Sequence, residues 1–239
     1  MPEYRALRQQ YGMLELCRTP DLAAQVTLQP VDSMEVDAAI LFSDLLLPLE
    51  PMGLSFDFVK GEGPAFDDPI RSAADVDRVR AIDPKVALGY VLDTIRQVKP
   101  RLDVPLIGFV GAPFTLASYA IEGGPSKDFA RTKAMMYTEP DAWHTLCARL
   151  ADMAGAYLRA QVEAGVDAVQ VFDSWVGQLG PADYREFALP HTRRVFEANL
   201  AAARATPLPP LGDLPLVVLS RGRADPLPGL SEADNRRFE

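Results

Sequence analysis

The sequence predicts an α/β fold built around a parallel sheet. Three short apolar runs, at residues 37–42, 105–110 and 168–172, are separated by longer segments in which apolar residues recur at helical spacing. None of the three runs alternates strictly between apolar and polar residues, which is typical of parallel strands covered on both faces. Strands that alternate with helices in this way indicate βα units and a parallel sheet.

Helices are predicted at 86–98, 126–137, 140–164 and 181–203. Asp83 and Pro84 precede the first helix as an N-cap and a first-turn residue. Gly165 closes the third helix as a C-cap. Pro190 lacks a backbone N–H, so we expect it to kink or divide the fourth helix.

The composition changes near Ala205. Residues 205–210 are rich in proline, residues 214–219 are apolar enough to form one more strand, and the remainder is charged and rich in turn formers. The chain has 239 residues, enough for one large domain with its own core. We therefore predict an α/β unit over 1–204 and a separate tail over 205–239.

Charge and cysteine content exclude several classes of protein. The formal net charge of −9 disfavours nucleic acid as a partner, because phosphate binding requires clustered Lys and Arg. Cys17 and Cys147 are far apart in sequence, which suits neither a disulfide framework nor a metal cluster. The first residues lack the apolar region of a signal peptide, and no apolar run is long enough to cross a membrane. We expect a cytoplasmic protein.

The candidate site residues directly follow the predicted strands. In parallel α/β folds the functional site lies at the carboxyl ends of the strands. Asp44 comes directly after the first strand, and Ser174 follows Phe172 and Asp173 at the end of the third. Asp44 has an equally good interpretation as a helix N-cap. Asp173 and Ser174 can also be interpreted as helix caps. The G-x-S-x-G pattern of a serine hydrolase is absent around Ser174.

Tyr119 lies in the helix predicted after the second strand, from which its hydroxyl could reach the strand end. The alternative interpretation, a core aromatic residue, is the simpler one. Arg8 is near Tyr4 in a short amphipathic stretch, where an arginine can bind a carboxylate or simply cover a surface helix. His144 and His191 lack metal-ligand spacing, and no phosphate-binding loop is present, so we predict neither a metal nor a cofactor.

Together these segments resemble the uroporphyrinogen decarboxylase family over roughly residues 1–203. The resemblance rests on motifs that occur in the family's order and spacing: PEYR at 2–5, TLQP at 27–30, DAAILFSD at 37–44, PLIGF at 105–109, GAPFTL at 111–116, Tyr119 with EGG at 122–124, FDS at 172–174 and ALPH at 188–191. The set is far more specific than any one of its members.

The resemblance implies a TIM-type (β/α) barrel that forms a homodimer and converts the acetate side chains of uroporphyrinogen to methyl groups without a cofactor. By position, Asp44 matches the aspartate that binds the pyrrole N–H groups. Tyr119 and Ser174 match polar residues that contact the tetrapyrrole, Phe172 belongs to the same substrate-binding motif as Ser174, and Arg8 matches an arginine of the substrate-binding region.

The sequence departs from the family pattern in two places. An Arg-Gln-Ala-Gly-Arg segment precedes PEYR in the family and is not found here, and the later strands of the barrel, with a late histidine, are not recognised after Ala203. We therefore expect a barrel that is incomplete at both ends and a polypeptide of low or absent activity on its own. Two alternatives remain: a corrinoid or thiol methyltransferase of the same superfamily, which would need a His/Cys zinc site, and an inactive tetrapyrrole-binding protein.

Overall fold

A three-stranded parallel sheet forms the centre of the fold. The computed structural model describes residues 1–34, 36–59 and 61–205, so the strand predicted at 214–219 lies outside the described residues. The strands in this part are β1 (Ala39–Ile40), β2 (Phe56–Val59), β3 (Gly63–Phe66), β4 (Leu106–Gly111) and β5 (Ala168–Phe172). The first, fourth and fifth form one sheet in the order β1-β4-β5, with both pairs parallel. The prediction of three parallel strands is confirmed.

The strands β2 and β3 form an antiparallel hairpin of their own, which the sequence analysis did not predict. The helices are α1 (Pro2–Gln10), α2 (Met13–Arg18), α3 (Pro20–Ser33), α4 (Ala73–Val76), α5 (Pro84–Ala87), α6 (Gly89–Val98), α7 (Pro113–Glu122), α8 (Ala130–Thr138), α9 (Pro140–Ala164), α10 (Pro181–Asp183) and α11 (Leu189–Ala205).

The long helix α9 has the predicted bounds and ends at Gly165, whose φ of 120° is a conformation that L side chains rarely adopt. The helix predicted over 126–137 begins only at Ala130, because Phe129 has the left-handed φ of 56° and cannot continue a helix. The segment predicted over 181–203 is divided as expected. A π-helical turn over Tyr184–Ala188 separates α10 from α11, next to Pro190.

The core forms where α9 packs on the sheet and on its neighbouring helices. Its apolar residues recur every three or four positions and are fully buried at Trp143, Leu146, Leu150 and Ala154. The indole Nε1 of Trp143 donates a hydrogen bond of 2.9 Å to the carbonyl of Phe187, so the largest buried side chain has no unsatisfied polar group. No helix in the described ranges is both long enough and apolar enough to traverse a bilayer.

One side chain of α9 takes the place of a strand. The strand β1 pairs with β4 only at Leu106 and Ile107. Beyond that point the N–H of Phe109 donates to Oε1 of Gln161 at 2.9 Å, and the carbonyl of Phe109 accepts from Nε2 of Gln161 at 2.8 Å. Gly108 makes this possible, because a Cβ at that position would overlap Oε1 of Gln161. The fully buried Gln161 amide therefore allows β1 and β4 to separate without leaving peptide groups unpaired.

A histidine pair joins α9 to α11. Nδ1 of His144 lies 2.9 Å from Nε2 of His191, and the His144 ring stacks on Phe187 with a centroid distance of 5.8 Å. Burial lowers the pKa of His191 to about 4, and the neighbouring His144 and Arg194 add to the shift. The folded chain therefore resists protonation of His191 at a pH where the unfolded chain accepts a proton.

Replacing Gln161 by leucine should destabilise the fold. The variant keeps a side chain of similar size but leaves two buried peptide groups of Phe109 unpaired, so the free energy of unfolding should fall by about 2–4 kcal/mol. Urea denaturation followed by circular dichroism measures this. Gln25→Leu, on an exposed position of α3, is the matched control and should change stability by less than about 0.5 kcal/mol. Equal effects of the two substitutions would contradict the role assigned to Gln161.

The histidine pair should make the fold sensitive to acid. Because the folded-state pKa of His191 is about 4 and lies below the unfolded-state value, stability should be lost as the pH falls from about 6.5 towards 4, on the order of 2 kcal/mol. The carboxylates titrate in both wild type and His191→Gln, so the difference between the two pH profiles of stability reports on His191. The variant should lose less stability over the same interval in urea denaturation, and parallel pH profiles would refute the assignment.

Candidate active site

A side chain of α3 supports the end of β1. The N–H of Phe42 donates a hydrogen bond of 2.9 Å to Oγ1 of Thr27, which in turn donates to the carbonyl of Ala23 at 2.8 Å. Thr27 is buried, so the hydroxyl supplies the acceptor that a neighbouring strand would otherwise provide. The chain can then turn away from the sheet, and Asp44 lies two residues further on.

Asp44 is held by its own turn. Its Oδ1 accepts a hydrogen bond of 2.8 Å from the N–H of Leu46, the geometry of an Asx turn. Burial raises the pKa of the Asp44 carboxyl above its ordinary value, and the bond from Leu46 opposes that shift. The sequence predicts that Asp44 directly follows a strand over 37–42, but β1 ends at Ile40, so three residues separate the strand from Asp44.

An open cleft of about 470 Å³ lies between the separated strand ends. Its walls are mostly apolar and include three aromatic rings, while Asp44, Ser43 and Ser174 supply side-chain polar atoms. The lining residues are Val26, Pro30, Ile40, Leu41, Phe42, Ser43, Asp44, Leu45, Phe109, Phe172 and Ser174. Phe109 and Phe172 meet edge to face with a centroid distance of 5.5 Å. Such a cleft suits a flat, largely apolar ligand that carries a few polar groups.

Tyr119 lies on α7. Burial raises the pKa of the Tyr119 phenol, a side-chain hydrogen bond with Trp175 opposes this shift, and the negative charge of Asp44 adds to it. The Tyr119 ring meets Trp175 edge to face at 5.6 Å, and Trp175 also contacts Phe129 at 5.3 Å. Tyr119 is half-buried and does not belong to the residues that line the cleft.

Asp173 lies beside Ser174 in sequence but is not among the residues that line the cleft. Its Oδ1 accepts a hydrogen bond of 2.8 Å from Oγ1 of Thr115, on the first turn of α7. Burial raises the pKa of Asp173 to about 6, in opposition to the hydrogen bond from Thr115. The two carboxyls that follow β1 and β5 therefore have different surroundings.

Arg8 is exposed on α1, where its guanidinium donates a hydrogen bond of 2.9 Å to the carbonyl of Tyr11. It does not line the cleft. Burial raises the pKa of the Cys17 thiol to about 12; the charge of Asp44 adds to this shift, while Arg18 and Arg8 oppose it. Asp44 and the two arginines thus affect the pKa of the same buried thiol, with opposite signs.

The structure brings three of the five predicted site residues, Asp44, Phe172 and Ser174, to one cleft. The sequence analysis missed Val26 and Pro30 of α3, and it did not single out Phe42 or Phe109 as site residues. Phe42 lies two residues before Asp44 at the end of the predicted strand, and this nearness in sequence could have identified it. Within residues 1–34, 36–59 and 61–205, no group of three or more His, Cys, Asp and Glu side chains is arranged to hold a metal ion.

The fold and the cleft define a parallel α/β protein whose candidate site lies at the carboxyl ends of its strands, the arrangement found in α/β enzymes. The sequence model of the family described as "Uroporphyrinogen decarboxylase (URO-D)" matches residues 1–226. The chain belongs to the uroporphyrinogen decarboxylase family. The match extends beyond Ala203, where the motif-based resemblance ended.

Two relatives illustrate the similarity. A protein of Chloroflexus aggregans named uroporphyrinogen decarboxylase is 54% identical over 212 residues, which is 88% of this chain and 59% of the relative. A protein of the same name from Mycobacterium tuberculosis is 48% identical over 235 residues, which is 98% of this chain and 62% of the relative. The chain thus spans about three fifths of the length of these relatives.

Among solved structures, a methyltransferase from Methanosarcina mazei is similar with a TM-score of 0.64 and 19% sequence identity. The similarity covers 77% of this chain and 55% of that one. At this level of identity the comparison supports the α/β fold alone.

Replacing Asp44 by asparagine should stabilise the folded chain. Because burial raises the pKa of Asp44, the folded chain binds this proton more tightly than the unfolded chain, and the free energy of unfolding falls as the pH rises through the Asp44 titration. Asparagine removes the buried charge, so the variant should be more stable than wild type at pH 8, by an amount that shrinks as the pH approaches 4. Urea denaturation at several pH values measures the difference.

Asp37→Asn is the control, because Asp37 is exposed just before β1. This substitution removes the same charge without relieving burial and should leave the unfolding midpoint nearly unchanged. If Asp44→Asn is less stable than wild type at pH 8, the hydrogen bond from Leu46 outweighs the cost of burying the carboxylate, and our view of this site is wrong.

Proposed function

We propose that this chain acts on uroporphyrinogen and removes carbon dioxide from its acetate side chains, forming coproporphyrinogen, as the names of its relatives suggest. The observation that carries the proposal is the half-buried Asp44 carboxylate, with a pKa raised by burial, in a cleft with aromatic walls. The substrate joins pyrrole rings, which are apolar on their faces and carry N–H donors, to peripheral carboxylates. A single acidic group among apolar walls complements the ring faces and the N–H groups.

The proposal extends to the fold and the assembly. The strands β1, β4 and β5 are then part of a TIM-type (β/α) barrel that does not close within residues 1–204. The tail predicted over 205–239 lies outside the described residues except for Ala205, and the family match continues into it as far as residue 226. The protein would work in the cytoplasm as a homodimer and without a cofactor. The parallel order β1-β4-β5, with helices between the strands, supports the barrel.

The chemistry assigns a clear task to Asp44. Protonation of the ring carbon next to the one that bears the acetate gives a cationic ring. The bond between the acetate carboxylate and its methylene then breaks, carbon dioxide leaves, and the electron pair forms an exocyclic double bond that neutralises the ring. Protonation of this methylene gives the methyl group, and loss of the first proton from the ring carbon restores the pyrrole. A carboxylate held near the pyrrole nitrogens stabilises the cationic stage, and one such fixed electrostatic element typically contributes roughly 3–4 kcal/mol.

The surroundings of Asp44 suit this task. Among the described residues, Leu46 donates one hydrogen bond to the carboxylate, and burial weakens solvation by water. Pyrrole N–H groups would supply further donors and lower the pKa of Asp44, so that ligand binding keeps the carboxylate ionised. A macrocycle that covers the open cleft would displace water from its apolar walls and strengthen the attraction between the carboxylate and the ring cation.

We assign supporting roles to the other predicted residues. Ser174 lines the cleft and can donate to a substrate carboxylate, and Phe172 can pack against a pyrrole face. Tyr119, whose pKa the charge of Asp44 helps to raise, is assigned a contact with the same ligand through its hydroxyl. Arg8 is exposed on α1 and can attract the peripheral carboxylates.

Asp44→Asn tests the proposal. The variant keeps the shape of the side chain but loses the charge, so decarboxylation of uroporphyrinogen III should fall by about 100-fold or more. The measurement is coproporphyrinogen formation by purified protein under anaerobic conditions. Asp173→Asn is the matched control, because Asp173 follows β5 but does not line the cleft, and it should reduce turnover much less. Equal losses in the two variants would contradict the role of Asp44.

Equilibrium dialysis with uroporphyrin III, the oxidised form of the substrate, separates the proposed activity from binding alone. Wild-type protein that binds uroporphyrin III through Asp44 but forms no coproporphyrinogen would support the inactive tetrapyrrole-binding alternative. Wild-type protein that neither binds nor decarboxylates would refute both functions.

A further inference from the structure

One buried hydroxyl organises the segment that follows β5. Thr115 is fully buried on the first turn of α7. Its Oγ1 donates a hydrogen bond of 2.8 Å to Oδ1 of Asp173 and accepts one of 3.2 Å from the N–H of Trp175. The hydroxyl therefore uses its donor and an acceptor lone pair on the two residues that flank Ser174. Ser174 itself is exposed and has no part in this bridge.

The same bridge connects α7 to Tyr119. Tyr119 lies four residues after Thr115, so both side chains are on one face of the helix. The Trp175 ring meets the Tyr119 ring at 5.6 Å, and this ring contact joins the segment to α7 a second time. A continuous set of contacts therefore joins Thr115, Trp175 and Tyr119. Ser174 is connected to it as the residue before Trp175 in the chain.

The position of Ser174 in the cleft then depends on α7. Ser174 follows β5 and Asp44 follows β1, and these two strands lie on opposite sides of β4. A displacement of the segment after β5 would change the distance between the polar groups of the two cleft walls. Inside the segment, Ser174 is restrained mainly through its neighbours, since the hydrogen bonds to Thr115 are made by Asp173 and Trp175.

We propose that Thr115 is a positioning residue that fixes Ser174 and Trp175 against α7 and thereby sets the width of the cleft. The part of this proposal that concerns a ligand rests on the tetrapyrrole function proposed above. The part that concerns the segment does not, because it can be tested on the protein without any ligand.

The charges around Asp173 support the proposal. Burial raises the pKa of Cys147 on α9 and of Tyr184 in the π-helical turn, and the charge of Asp173 adds to each shift. Burial also raises the pKa of Asp173, and the hydroxyl and the backbone N–H of Thr115 oppose this shift. Loss of the hydroxyl removes one of these two hydrogen bonds, leaves the half-buried carboxylate less well solvated and favours movement of the segment towards water.

Trp175 provides a readout that does not need activity. The chain has two tryptophans. Trp143 is fully buried and Trp175 is partly exposed, so acrylamide quenching of fluorescence reports mainly on Trp175. Thr115→Val preserves the shape of the side chain but removes the hydroxyl. The fraction of molecules in which the segment after β5 has moved away from α7 should then rise about fivefold, and acrylamide quenching of Trp175 should increase accordingly. Thr115→Ser keeps the hydroxyl and should restore quenching close to the wild-type value.

Thr94→Val is the matched control. Thr94 is also a buried threonine, but its hydroxyl donates only to the carbonyl of Tyr90 within α6. The substitution removes a buried hydroxyl at a comparable cost in stability and should leave Trp175 quenching unchanged. Circular dichroism before each titration confirms that the compared variants are folded. If Thr115→Val does not fold, Thr115→Ser and Asp173→Ala carry the test, and Asp173→Ala should increase quenching.

The same variants are then tested by equilibrium dialysis with uroporphyrin III. Thr115→Val should weaken binding about fivefold to tenfold, while Thr115→Ser and Thr94→Val should bind like wild type. Increased quenching with no uroporphyrin binding by any variant, wild type included, would support the positioning role and refute the tetrapyrrole function. Unchanged quenching and unchanged binding in Thr115→Val, with wild type binding normally, would refute the positioning role and leave the function standing.

Discussion

The candidate site depends on the separation of β1 from β4, and two helix side chains make that separation tolerable. Parallel strands that part inside a protein expose peptide groups, and a buried N–H or carbonyl without a partner is strongly unfavourable. Gln161 pairs with both peptide groups of Phe109, and Thr27 accepts from the N–H of Phe42. The opening between the strands becomes a cleft because α9 and α3 replace the hydrogen bonds that a longer β1 would have made.

The same separation explains the state of Asp44. A carboxylate at the end of a fully paired strand would lie near water or at a helix N-terminus, where solvation is ample. Here Asp44 shares the lining of the cleft with Phe109 and Phe172, so burial raises the pKa of its carboxyl, and the N–H of Leu46 in its own turn donates to it. The charge of this carboxylate is costly in the free state, and a ligand with N–H donors would stabilise it. The bond from Leu46 also makes Asp44 a cap of its own turn, so the proposed binding role is added to a structural one.

Features that depend on local chemistry could be predicted from the sequence, and features that depend on distant partners could not. The three parallel strands and the bounds of α9 follow from apolar runs, a proline at the helix start and Gly165 at its end. The hairpin β2–β3 lacks the pattern of an independent strand pair, since Gly63 and Pro64 begin its second strand. Gln161 looks like any polar helix residue, because its role exists only when Gly108 lies beneath it.

Two similar motifs, after β1 and after β5, have different environments. After β1 the consecutive residues 40–45 line the cleft, so alternation along a strand does not select Asp44; the chain has already left the sheet, since β1 ends at Ile40. After β5, Phe172 and Ser174 line the cleft, whereas Asp173 between them accepts a hydrogen bond from Thr115. Alternation accounts for this second segment, because neighbouring side chains of an extended chain point to opposite sides. One carboxylate therefore lines the cleft and the other anchors its wall, because α7 offers a hydroxyl to Asp173 and the turn after β1 offers the N–H of Leu46 to Asp44.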